Sequence, residues 1–163
     1  SKLVDFCVDN NKKLIHFSTD YVYTFSKENA SENDVPVHCN TWYGYTKLLS
    51  DAYIELKMNP NNYLIFRTTQ KKNPFTYEKA YVNQIGNFDY IETIGDLCLK
   101  LIYVNTSGIC NVGTEKKSMY DLALKTKSNV LPTTDLYNEN MPKNTTMNLD
   151  QMNSILNNFH TNV

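Results

Sequence analysis

Two short runs of bulky apolar residues, Leu14-Ile15-His16-Phe17 and Tyr63-Leu64-Ile65-Phe66-Arg67, bracket a segment of helical periodicity. A nearly continuous apolar run of this length reads as a strand buried on both faces, which is the position of a strand in a parallel sheet. Between the runs, Leu48, Leu49, Ala52, Tyr53 and Leu56 form the apolar stripe of a helix. That helix is predicted from Thr41 or Trp42 to about Lys57, where Asn59-Pro60-Asn61-Asn62 stops it. Strand, helix and strand in this order predict parallel pairing through a crossover. Upstream, Leu3, Val4, Cys7 and Val8 recur at helical spacing and Asn10-Asn11 ends the run, so a helix feeds the first strand.

Downstream the pattern loosens. Thr24 to Asn40 is a polar loop without periodicity, either a functional excursion or a solvated one. Gln70 to Pro74 is polar, and Phe75 to Tyr90 is irregular and aromatic. A helix is predicted over 91–103, with Ile91, Ile94, Leu97, Leu101 and Ile102 facing a core, and a short strand over 109–112 after the Ser107-Gly108 turn. Ser118 and Asp121 have the spacing of a capping box and open a helix predicted to about Lys127. A last amphipathic helix is predicted over 149–159, with Met152, Ile155, Leu156 and Phe159 inward.

The sequence of 163 residues suits one domain with a substantial core. Its net charge of -1 gives no basic footprint for nucleic acid or an acidic membrane. No apolar run approaches the roughly 20 residues of a membrane span, and no secretory signal is visible. Cys7, Cys39, Cys98 and Cys110 lack metal-ligand spacing, so reduced buried thiols and a cytoplasmic location are expected, with no metal. His16, His38 and His160 read as structural or solvated.

Chemistry concentrates around the polar tip that follows the first strand. Tyr43 and Lys47 are four apart and share a helical face. A tyrosine phenol ordinarily ionises near about pH 10. A lysine one turn along stabilises the phenolate, so the phenol can pass a proton. The Thr19 hydroxyl completes a proton-transfer set with them. Taken alone, Tyr43 and Lys47 are also what an exposed helix face would show in a chain with 12 tyrosines.

Four segments in order change that balance: Ser18-Thr19-Asp20-Tyr21-Val22-Tyr23, Tyr43-Gly44-Tyr45-Thr46-Lys47, Leu64 to Thr69, and Asn111-Val112-Gly113 followed by Pro142 to Leu149. Together they resemble the extended short-chain dehydrogenase/reductase superfamily, with the dTDP-4-dehydrorhamnose reductase group as the nearest likeness. The resemblance implies an α/β fold, the C-terminal part of a Rossmann-like doubly wound parallel sheet with a small substrate-binding lobe. Residues 1–69 would carry the Rossmann-like part. Residues 70–163 would be mainly the lobe, some of it packing back on the sheet. It further implies NADH- or NADPH-dependent reduction of a nucleotide-linked 4-keto-6-deoxysugar. Thr19, Tyr43 and Lys47 would be catalytic, and Tyr43, Lys47 and Thr68 would bind the cofactor. Ser18, Asp20, Tyr21, Arg67 and Thr69 would bind substrate. Related dehydratases carry Asp-Glu after the Thr, and Tyr21 in the second position argues for a reductase. Asp20 also reads as a turn cap, and Arg67 as a structural ion-pair residue. Gln70 stands where the rhamnose reductases carry Trp. Lys71-Lys72 with Phe75, Tyr77 and Lys79 would meet a nucleotide diphosphate and its base, or else form a solvated loop with a few core aromatics.

The main departure is that no G-x-G-x-x-G turn occurs among the five glycines. The cofactor-binding half of the family is therefore expected to be absent, leaving a fragment, a remnant, or a chain completed by a partner. A non-catalytic subunit acting as a binding protein is the alternative function. One sheet edge is expected to be exposed and apolar, inviting a second copy or a partner chain.

Overall fold

The computed structural model describes residues 2–38, 41–135 and 141–160. Cys39 lies outside the described residues, as do the side chains of Phe159 and His160. The chain opens with helix α1 (Lys2–Asp9), strand β1 (Leu14–Phe17), helix α2 (Trp42–Lys57) and strand β2 (Tyr63–Arg67). Four short strands follow: β3 (Gln70–Lys71), β4 (Lys79–Tyr81), β5 (Ile85–Gly86) and β6 (Asp89–Tyr90). Helix α3 (Ile91–Tyr103), strands β7 (Gly108–Asn111) and β8 (Lys117–Ser118), helix α4 (Met119–Leu124), strand β9 (Leu131–Thr133) and helix α5 (Asp150–His160) complete it.

The main sheet runs β1-β2-β7, and both pairings are parallel. Strand β2 is central and all five of its residues are buried. Its alternation sends Tyr63 and Ile65 to one face and Leu64 and Phe66 to the other. The first face packs against Val4 and Cys7 of α1 and against Ile54 and Met58 at the end of α2. The second packs with Cys110 and Val112 against Ile94, Cys98 and Leu101 of α3 and Met152 of α5. Both faces are covered, which is why the sequence of β2 lacks polar alternation. Cys7, Cys98 and Cys110 are free and buried, and burial pushes the Cys98 and Cys110 thiols up to about 12.

Strand β1 pairs only with β2, so its other edge is unpaired among the described residues. Leu14 is buried under α1 and α2, whereas Ile15 and Phe17 are exposed. The expected open, apolar edge is present. Left-handed turns at Asn11 (φ 50) and Asn105 (φ 56) follow α1 and α3. Asparagine tolerates that conformation better than most residues.

A second cluster joins Phe75, Ala80, Phe88 and Tyr90 to Met119, Leu122, Ala123 and Val130. It is framed by three two-stranded ladders, β3-β6 and β4-β9 parallel and β5-β8 antiparallel. Segment 70–90, read from sequence as polar and then irregular, contributes both strands of the first ladder and one strand to each of the others; ladders of two or three residues leave no period to detect. Lys117 is buried here with its Nζ 3.2 Å from Asp89 Oδ2 and 3.1 Å from the Phe88 carbonyl. Both arms of the capping box at Ser118 and Asp121 are formed. Helix α4 ends three residues sooner than expected, because Lys125 and Thr126 donate to Leu122 and Ala123 in a tightened i to i-3 pattern.

Candidate active site

The site lies where β1 and β2 end, beyond the carboxyl edge of the sheet, where open α/β sheets place ligands. After Phe17 the chain leaves β1, and the Ser18 N–H donates to the Phe66 carbonyl at 2.8 Å. Thr19 then caps a 3-10 turn over Asp20–Tyr23, its Oγ1 accepting from the Tyr21 N–H. Across from this turn, α2 opens with Thr41 as its cap, Oγ1 accepting from the Gly44 N–H at 3.0 Å. Behind that cap sits His38. Its Nε2 lies 3.0 Å from the Thr41 N and 2.9 Å from Thr41 Oγ1, and its Nδ1 lies 3.0 Å from Thr24 Oγ1. A β-carbon added at Gly44 would lie 2.4 Å from His38 Nε2. The glycine beside Tyr43 is therefore what allows the imidazole to reach the helix start.

A cavity of about 290 Å³ is lined by Ser18, Thr19, Tyr21, Tyr43, Lys47, Thr68 and Thr69, together with Phe17, Gln70 and Lys71. Seven of the nine residues assigned to the site from sequence and resemblance line it, with Asp20 and Arg67 set behind. Tyr43 is 51% exposed and meets the Tyr21 ring edge-on at 5.9 Å between centroids. Lys47 donates to the Phe17 carbonyl at 2.8 Å. Burial, with Asp20 and Tyr43 adding to it, pushes the Tyr21 phenol up to about 12 and away from proton transfer near neutrality. The Thr68 hydroxyl is buried with no hydrogen-bond partner among the described residues. An orphaned hydroxyl in a cavity wall is the feature a ligand oxygen would satisfy.

Two of the expected substrate contacts turn inward. Asp20 is buried and gathers three threonine hydroxyls: Thr19 at 3.2 Å, Thr145 at 2.6 Å, and Thr69. It ties the turn to the end of β2 and to the C-terminal segment. Arg67 is 1% exposed and does not line the cavity. Its Nε lies 3.1 Å from Asp51 Oδ2, and its Nη1 donates to the Tyr23 hydroxyl at 2.7 Å. Burial disfavours the Arg67 cation, but Tyr23 and Asp51 together raise its pKa above the ordinary value. Of the two readings open for Arg67, the geometry matches the structural ion pair.

Asp51 was not singled out from sequence. It is fully buried, accepts from the Ser18 hydroxyl at 2.9 Å, and has His16 Nε2 3.5 Å from its other oxygen without hydrogen-bond geometry. Burial lowers the His16 pKa, Asp51 opposes this, and Lys47 adds to the lowering. The signal was available: Tyr43, Lys47 and Asp51 recur every four residues, and a carboxylate on the same face as a buried strand end needs a cation.

Among the described residues, no group of three or more His, Cys, Asp or Glu is placed to hold a metal. No helix there is long and apolar enough to cross a membrane.

Residues 1–80 match the family described as the RmlD substrate binding domain. No curated protein matches the chain in sequence. Among solved structures, dTDP-4-dehydrorhamnose reductase from Bacillus anthracis, in complex with NADP, is 20% identical with a TM-score of 0.74, covering 99% of this chain and 68% of that one. A dTDP-4-dehydrorhamnose reductase ortholog from Clostridium acetobutylicum is 21% identical with a TM-score of 0.76, covering 95% of this chain and 63% of that one. UDP-glucuronic acid 4-epimerase from Bacillus cereus, in complex with NAD, is 18% identical with a TM-score of 0.64, covering 96% of this chain and 57% of that one. The chain therefore spans about three fifths to two thirds of the length of these structures, and it shares their Rossmann-like α/β fold.

Proposed function

We propose, from the match of residues 1–80 to the family described as the RmlD substrate binding domain, that the chain carries the reaction centre for NADH- or NADPH-dependent reduction of a nucleotide-linked 4-keto-6-deoxysugar. The observation that carries this reading is the meeting of Thr19, Tyr43 and Lys47 in one cavity at the carboxyl end of a parallel sheet. Tyr43 presents a half-exposed phenol and gives its proton to the ketone oxygen as that oxygen becomes an alkoxide. Thr19 holds its hydroxyl on Asp20 through a 3.2 Å bond, long enough to be exchanged for a shorter one to the substrate oxygen. Lys47, fixed by the Phe17 carbonyl, places positive charge on the wall where the phenolate forms. Ser18 and Thr69 are further hydroxyls lining the substrate side.

The residues present fit the nicotinamide end of the cofactor. The unpartnered Thr68 hydroxyl and the Lys47 ammonium would hold its ribose side. They do not fit its pyrophosphate, for which the sequence has no glycine-rich turn. A nicotinamide bound here would supply the hydride.

The test is titration of the folded chain with dTDP- and UDP-linked 4-keto sugars and with NADH or NADPH, followed by nicotinamide absorbance in turnover. Tyr43→Phe is expected to lower turnover by roughly 10²–10⁴-fold while sugar-nucleotide binding stays. A chain that binds no sugar nucleotide, or a Tyr43→Phe variant as active as the parent, overturns the proposal. The unpaired edge of β1 favours a second reading, in which the chain is a non-catalytic binding subunit or gains activity only beside another chain. Sugar-nucleotide binding without any cofactor binding is the result that selects it.

A further inference from the structure

Lys71 stands at a wall shared by two cavities. One is the site around Tyr43 and Lys47. The other, of about 790 Å³, is lined by Phe75, Tyr77, Tyr81, Gln84 and Met119, with Lys79 offset by Glu78 and Asp135. Both volumes suit small-molecule sites. Lys71 is the residue they have in common. Its neighbour Lys72 is exposed and lines neither.

The Lys71 ammonium has no hydrogen-bond or salt-bridge partner among the described residues. It lies 5.9 Å from the centroid of the Phe88 ring. Burial lowers its pKa, with only the Asp20 charge opposing, and the three threonine hydroxyls already engage Asp20. A desolvated cation without a partner is stabilised by an incoming anion. Its backbone is held in β3, which pairs Lys71 with Tyr90, so the charge is mounted on regular structure next to the end of β2.

We propose that Lys71 clamps the diphosphate of a nucleoside diphosphate sugar that spans both cavities, sugar toward Tyr43 and base toward Phe75 and Tyr77. The inference rests on the sugar-nucleotide reading above and adds which residue holds the diphosphate and which way the molecule lies. The order of the parts matches the order of the walls: hydroxyl-rich cavity, cation, aromatic cavity. The Phe75 and Tyr77 rings meet edge-on at 5.6 Å, and Tyr77 is exposed, so a π-face is available for stacking a base. In the second cavity Glu78 and Asp135 outnumber Lys79, which leaves Lys71, on the shared wall, as the cation available to anionic charge.

The experiment titrates dTDP, UDP, thymidine and uridine into the full chain and its variants by calorimetry. Lys71→Met is expected to weaken diphosphate binding about tenfold or more, to change nucleoside binding less than about twofold, and to leave Lys71→Arg near the parent. Tyr77→Ala is expected to weaken nucleosides and diphosphates together. A Lys71→Met variant that binds the diphosphates as the parent does overturns the clamp while leaving the sugar-nucleotide reading intact. A parent chain that binds none of the four probes overturns both. In the parent itself, the Lys71 side-chain NMR signals are expected to shift with dTDP and stay in place with thymidine. That readout holds even if a variant folds poorly, and unshifted signals with bound dTDP also overturn the clamp.

Discussion

Replacing Asp51 by alanine tests whether the buried polar hub behind the active site is a structural necessity. Asp51 is 0% exposed and Arg67 1% exposed, with 3.1 Å between Nε and Oδ2. Removing the carboxylate leaves the guanidinium buried with the Tyr23 hydroxyl as its remaining side-chain partner among the described residues, and it strands the Ser18 hydroxyl. Breaking a buried ion pair by deleting one member costs roughly 3–5 kcal/mol, because the other charge stays desolvated and uncompensated. For a domain of this size that corresponds to a fall in Tm of roughly 6–20 °C. Urea unfolding followed by circular dichroism reads it directly. The double variant Asp51→Leu with Arg67→Met removes both charges and is expected to recover most of the loss, since hydrophobic replacement of a whole buried pair is often neutral. An Asp51→Ala variant within about 1 kcal/mol of the parent would refute the reasoning, as would a double variant no more stable than the single.

Gly44→Ala drives a methyl to within 2.4–2.7 Å of the His38 ring and is expected to cost about 1–3 kcal/mol, read by thermal unfolding. His38→Ala in the same background should recover part of it. Lys117→Met removes the buried partner of Asp89 and is expected to cost about 2–3 kcal/mol, less than a fully isolated pair, because Lys125 Nζ stays 3.5 Å away. Hydrogen exchange should locate the loosening in the 75–90 and 117–130 segments. Asp34 is held down to about 2 by its hydrogen bonds to Lys27 and then to Ser31. A depressed carboxylate contributes its stability above the unfolded pKa of about 4 and loses it as pH falls toward 2. The Ser31 amide, which donates to Asp34 at 2.8 Å, is expected to lose exchange protection across that interval and to keep it at pH values above it.

Much of the frame was legible because it rests on local periodicity. The bounds of β1, α2, β2 and α3 match those read from apolar patterns and stop signals, as does the capping box at Ser118. Burial imposes a period on the strands and on α3, although Ile91 at the start of α3 is exposed. In α2 the bounds match but the face does not, since Leu49 and Leu56 of the apolar stripe are exposed and Gly44, Asp51 and Ile54 are buried instead. The short ladders over 70–90 and 131–133 impose none. The 3-10 turn over Asp20–Tyr23 was equally hidden, since its cause is one hydroxyl capping one amide.

The site divides along the same physical line. Sequence by itself determined that a hydroxyl, a phenol and an ammonium follow a buried strand and open a helix, because Thr19 sits at the strand end and Tyr43 and Lys47 lie one helical turn apart. Only the tertiary structure decided which polar residues face the cavity and which face the core. Asp20 and Arg67 looked like substrate contacts, yet each finds its partners at long sequence separation: Thr145 for the one, and Asp51 and Tyr23 for the other. Lys71 has the opposite fate, with no such partner and two cavities beside it. A side chain's charge is written in the sequence. Whether that charge is neutralised from within or left for a ligand depends on which distant segments the fold brings against it.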